Sequence, residues 1–177
     1  MNRSRRHTLL ACAAVPVLGM TGAGVAIAAQ LDFAGTAVNH VAVATEDTPA
    51  TYKGKNWETV AATTVESATG ESILVRFSAE SACYGNHGYC AARILVDGVE
   101  ALPESAPSGF DFAFDHSERN THTDKSTGAR SMERVVANTA MGTPVEVKVQ
   151  VRMVESSGEK MRLRLDDWTL SAWSIAP

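Results

Sequence analysis

Beyond its first thirty residues this chain has no long apolar run, few aromatic side chains and no excess of positive charge, and its only cysteines there are Cys83 and Cys90. Each shortage removes a class of function. A membrane-spanning helix needs roughly 18 consecutive apolar residues, and no later segment supplies them. The whole chain carries 16 basic and 20 acidic residues. Removing residues 1–28 takes away Arg3, Arg5 and Arg6 and no acidic residue, so the remainder has a net charge of 13 − 20 = −7. A domain of that sign repels phosphate backbones and anionic lipid surfaces, which excludes nucleic-acid binding and electrostatic membrane attachment. Neither a Gly-x-Ser-x-Gly elbow nor a glycine-rich phosphate loop is present, so the usual motif for acyl transfer and the usual cradle for nucleotides are missing. No motif calls for a cofactor.

What is present begins with an export signal. Arg3, Arg5 and Arg6 precede an apolar run from Leu9 to about Ile27, and Ala26-Ile27-Ala28 supplies a small-x-small cleavage pattern. This is the layout of a secretory signal peptide, and it predicts residues 1–28 as signal and 29–177 as one exported domain. Pro16, Gly19, Gly22 and Gly24 disfavour a lasting membrane helix. Ser4 to Leu10 resembles a twin-arginine signal, although Thr8 stands where that motif prefers a large apolar residue; general secretion and twin-arginine export therefore both stay open. Leu9-Leu10-Ala11-Cys12 looks like a lipidation box but leaves too few apolar residues after Arg6.

Cys12 leaves with the signal, and outside the cytoplasm the pair Cys83 and Cys90 is read as a disulfide. Their spacing excludes a Cys-x-x-Cys redox site, and the two thiols with His87 fall short of a zinc set. A bridge there removes both thiols from nucleophilic chemistry.

Strand periodicity dominates the rest. Val145, Val147, Val149, Val151 and Met153 alternate with Glu146, Lys148, Gln150 and Arg152, the period-2 signature of a strand with one face dry. Residues 73–80, 110–115 and 161–165 repeat it, and Trp57 to Val65 is rich in strand-favouring Thr and Val. After Asp166-Asp167 the apolar phase shifts to Trp168, Leu170 and Ala172, as a β-bulge would cause. Asp97-Gly98 between Val96 and Val99 predicts a two-residue type I′ hairpin, and Ser156-Ser157-Gly158 a longer one. No segment has a convincing 3.6-residue period. The fold class read from these signs is all-β, an antiparallel jelly-roll-like sandwich with one intradomain disulfide. Asp115 to Ser131, polar almost throughout, reads as a long loop.

Candidate site residues are few. Asp115, His116, Glu118, His122 and Asp124 offer oxygen and imidazole donors, but their spacing matches no metal template, so they read as solvated charges. Asp166 and Asp167 are strand neighbours pointing to opposite faces, and so cannot flank one glycosidic bond without a carboxylate from elsewhere. Tyr84 and Tyr89 in the disulfide loop, with Trp173 out of phase with its buried neighbours, are the candidate binding residues, because exposed rings stack on sugars and protein surfaces.

The blocks Ile73 to Glu80, Cys83 to Cys90, Arg93 to Gly98 and Leu165 to Leu170 resemble the recurring blocks of small exported β-sandwich proteins of bacteria. That resemblance implies the fold and export and assigns no catalytic residue. The expected function is a non-catalytic extracellular domain binding a protein or cell-wall glycan. An extracellular polysaccharide hydrolase and a self-associating structural subunit are the alternatives.

Overall fold

The computed structural model describes residues 37–85, 87–104, 112–117, 127–137, 144–155 and 160–176. Ten strands are formed: β1 (Val38–Glu46), β2 (Ala50–Tyr52), β3 (Glu58–Val65), β4 (Ser72–Tyr84), β5 (Gly88–Val96), β6 (Val99–Glu100), β7 (Ala113–His116), β8 (Gly128–Val136), β9 (Val145–Glu155) and β10 (Arg162–Ile175). The first sheet runs β1-β10-β4-β8, with β2 also on β10; the second runs β3-β9-β5-β6, with β7 also on β5. All pairs are antiparallel. Setting aside short β2 and β6, the strands pair first with last and inward to the middle: β1 with β10, β3 with β9, β4 with β8, β5 with β7. A long hairpin rolled up in this way is a jelly roll, and the protein is an all-β sandwich of that kind.

Alternation positions the core. Ile73, Val75, Phe77 and Ala79 of β4 and Leu170 and Ala172 of β10 face Ala92, Ile94 and Val96 of β5 and Val145 to Met153 of β9, all buried. Each large side chain so buried contributes about 1.5–3 kcal/mol relative to exposure. The Phe77 ring lies 5.6 Å from Phe114 and 6.2 Å from Trp168. The predicted phase change occurs between Asp166 and Thr169, where the register of β10 on β4 slips and Asp167 takes a positive φ of 43°. Asp97 (φ 46°) and Gly98 (φ 81°) adopt the left-handed pair that a type I′ turn demands, with Val96 opposite Val99.

Three expectations need correction. Ser156 to Gly158 lie outside the described residues, and the strands on either side of them do not pair as a hairpin, since β9 belongs to the second sheet and β10 to the first. The polar stretch from Asp115 to Ser131 is not loop throughout: Asp115 and His116 end β7, and 128–131 begin β8. Phe110 and Asp111 of the run read as a strand lie outside the described residues. Strand β7 begins at Ala113, and a register shift against β5 leaves Phe112 exposed while Phe114 and Asp115 are both buried.

The disulfide joins Cys83, near the end of β4, to Cys90, near the start of β5, with Cα atoms 5.9 Å apart. Because β4 and β5 lie in different sheets, the bridge ties the two layers at one end of the sandwich. Glu71 does comparable work at the β3–β4 turn. Buried, it accepts hydrogen bonds from Ser174 Oγ of β10, Asn39 Nδ2 of β1 and the Ala68 N–H. These donors, Ser174 foremost, hold its carboxyl well below the usual range, at about 2.

Candidate functional site

Two surfaces stand out, and both lie on the first sheet. On its solvent side the register aligns Val41 of β1 with Trp173 of β10, Trp173 with Leu74 of β4, and Leu74 with Val135 of β8; Leu102 bridges to Val135 beyond the sheet edge. An apolar row thus crosses four strands. Val41 is 54% and Leu102 46% exposed, with Trp173, Leu74 and Val135 half-buried between them. Val43, 58% exposed, extends the apolar surface along β1. The solvent side of a sandwich strand is ordinarily polar, so a row of this kind marks a surface built for contact. Two residue positions further along β10 the same face turns polar: Ser171 aligns with Arg76, which faces Glu133, their charged groups 3.9 Å apart.

Strand β1 adds a second property, since among the described residues it forms an edge of the first sheet, and it exposes both its faces over most of its length. Edge strands are normally blunted by charge, proline or bulges. The other edges follow that rule: β8 carries Arg130, Glu133 and Arg134, β3 carries Glu58 and a register shift, and β7 ends on Asp115-His116. From Val38 to Thr45, β1 has no Lys, Arg, Asp, Glu or Pro, and its irregularity is confined to its first residues, between Val38 and His40.

The second surface is an open cleft of about 400 Å³ at the bulge, lined by Thr45, Glu46, Asp47, Asp167, Trp168 and Thr169. Asp167 does find other carboxylates nearby. They come from β1 and the turn after it, an approach that adjacent Asp166 and Asp167 could not provide. Asp166 is otherwise engaged: its carboxylate accepts from Arg164 at 2.6 Å and from the Asp167 N–H at 3.1 Å. Glu46 accepts the N–H groups of Asp47 and Thr48, and hydrogen bonds from Thr48, its side chain foremost, lower the proton affinity of the carboxyl.

The remaining candidates are dispersed. Tyr84 belongs to the first sheet and lies under Arg162, whose guanidinium carbon is 4.6 Å from the ring centroid; Tyr89 belongs to the second sheet, opposite Val154 and His116. Tyr84 pairs with Arg162, and eleven residues of β10 separate that position from Trp173, about 36 Å at the rise of an extended strand. The two tyrosines and Trp173 therefore form no common platform. Asp115 is buried and already spent on donors: Ser81 Oγ at 2.8 Å, the His116 N–H at 2.9 Å and Arg130 at 3.3 Å. An arginine in that set opposes a cation, while His122, Asp124 and Glu118 lie outside the described residues. Among the described residues no group of three or more His, Cys, Asp or Glu converges to hold a metal ion.

No protein-family model and no curated protein matches this chain. Distant structural likeness exists to a viral coat protein. The VP2 protein of infectious bursal disease virus, in a mutant particle and in a subviral particle, aligns at 13% and 12% identity with a TM-score of 0.42. The alignment covers 78% and 79% of this chain but 38% of VP2, so the chain spans less than two-fifths of that protein's length. At that distance the likeness carries no functional argument; the jelly roll rests on the strand register itself.

Sequence reasoning missed the apolar row and the role of Glu71. Trp173 was legible from its phase, but its neighbours Val41, Leu74, Val135 and Leu102 come from four separate segments. Glu71 sits in a polar turn, where the nearest hint is Gly70 with a φ of 91°.

Proposed function

We propose that this chain is an exported, non-catalytic interaction domain that holds a protein partner against the outer face of its first sheet. The observation that carries the reading is the apolar row from Val41 through Trp173, Leu74 and Val135 to Leu102. A half-buried tryptophan within such a row, with exposed aliphatic groups at both ends, has the make-up of an interface core, where large aromatics contribute most of the binding energy. Export is supported by the signal layout of residues 1–28 and by the Cys83–Cys90 bridge, which persists in oxidising compartments.

A second reading is favoured by the cleft. Carboxylates of Glu46, Asp47 and Asp167 beside Trp168 and two threonines could bind a sugar, and two carboxyl groups suitably spaced could hydrolyse one. The test is a screen of the purified, oxidised chain against immobilised extracellular proteins and cell-wall polysaccharides, with sugar release followed in the same wells. Protein binding that Trp173→Glu abolishes and Asp167→Asn leaves intact supports the interface. Polysaccharide turnover abolished by Asp167→Asn overturns it in favour of the cleft.

A further inference from the structure

The edge of the first sheet identifies a partner. Resting on the reading of this sheet as an interaction surface, we infer that the occupant is a second copy of the chain, with β1 pairing antiparallel with β1 of that copy about a twofold axis at Val43. A symmetric contact requires a surface complementary to itself, and β1 meets that requirement in one register. With Val43 opposite the second Val43, Ala42 faces Ala44, Val41 faces Thr45 and His40 faces Glu46. The imidazole–carboxylate pair occurs twice, once on each side of the axis, and no like charges are opposed. Glu46 is the one formally charged side chain in β1, and in this register it meets the strand's one potential cation. Shifting the axis to Ala42 instead places Glu46 opposite Val38 and His40 opposite Ala44, leaving both polar groups without partners.

Face pattern agrees. Val41, Val43 and Thr45 project to the outer side, in phase with Trp173, Ser171 and Thr169. Pairing two edges therefore brings two Val43 side chains together at non-polar cross-strand distance and makes the apolar rows of both copies parts of one surface. The unpaired N–H and C=O groups of the edge are satisfied in the same step. An edge without charge or proline from Val38 to Thr45 is an aggregation liability in a lone domain, and closed twofold pairing removes it.

The experiment combines mass and crosslinking on the full oxidised chain. Sedimentation equilibrium should give a two-chain mass that falls to one chain in Val43→Lys, with circular dichroism unchanged, because two ammonium groups would meet at the axis. In parallel, Val43→Cys should form a covalent dimer under mild oxidation with oxidised glutathione, and Val41→Cys should not, since Val41 faces Thr45 across the axis. A wild-type chain that stays monomeric at all concentrations overturns the inference, as does crosslinking of Ala42→Cys in place of Val43→Cys. Either result leaves the interaction-domain reading standing if Trp173→Glu still abolishes binding of another protein; sugar turnover dependent on Asp167 overturns that reading whatever the mass.

Discussion

Replacing Glu71 with glutamine should destabilise the domain in a way that depends on pH. The carboxylate joins the β3–β4 turn to β1 through Asn39 and to β10 through Ser174, and receives the Ala68 N–H at 2.8 Å. Its proton affinity falls from the ordinary 4.5 to about 2, chiefly through the Ser174 hydroxyl. At about 1.4 kcal/mol per tenfold change in proton affinity that difference is worth at most about 3.4 kcal/mol, and solvent at the end of the sandwich screens part of it, leaving roughly 2 kcal/mol. A depressed folded-state value means the contribution is complete above pH 4.5 and is lost as pH falls from 4.5 toward 2. Glutamine must also turn an amide donor toward groups that are themselves donors. Urea unfolding at pH 7 should therefore show the variant about 2 kcal/mol less stable than the wild type, and the gap should shrink to about 0.5 kcal/mol by pH 2.5. A gap below about 0.5 kcal/mol at pH 7, or one constant between pH 7 and pH 2.5, would refute the assignment.

Further variants test other parts of the fold. Replacing Cys83 and Cys90 by serine opens an eight-residue loop and should cost about 2.5 kcal/mol, read from the urea midpoint, with the fold retained. Asp115→Ala leaves the Ser81 hydroxyl and Arg130 without their buried acceptor and should cost about 1–3 kcal/mol by the same assay. A methyl at Gly88 would collide with the Val154 carbonyl and the Met161 sulfur, so Gly88→Ala should lower thermal stability while Gly70→Ser, with open space at its Cβ, should cost only its backbone strain. Phe77→Ala should cost about 3–5 kcal/mol, because it removes the ring that meets both Phe114 and Trp168.

The strands that alternate most regularly were legible because both conditions for alternation hold along them. One face of Val145–Met153 packs on the opposite sheet and the other stays in water, so each successive residue records its side. The bulge at Asp166-Asp167 was legible for the same reason, as a change of phase. Where a residue's surroundings come from distant segments, local composition misleads. Asp115 looks like a loop charge beside His116 and Ser117, yet it is buried because Ser81, 34 residues before it, and Arg130, 15 residues after it, supply the donors. The same holds for the candidate interface. Trp173 reveals its outward phase on its own strand, but the row it belongs to exists only once β1, β4 and β8 have taken their register, and pairing partners of strands far apart in the chain are not encoded in any one window.

The place of β10 has a consequence for how the protein is made. It follows the other described strands in the chain, and it sits between β1 and β4, contributing Leu163, Leu165, Leu170 and Ala172 to the core. Until it arrives, β1 has no ladder to join and Glu71 has no Ser174. The first sheet is therefore completed only once β10 has been made, with the slow, non-local closure that such topologies impose. A chain ending before Arg162 would lack the strand that joins β1 and β2 to β4, so termination there should be as damaging as termination far upstream.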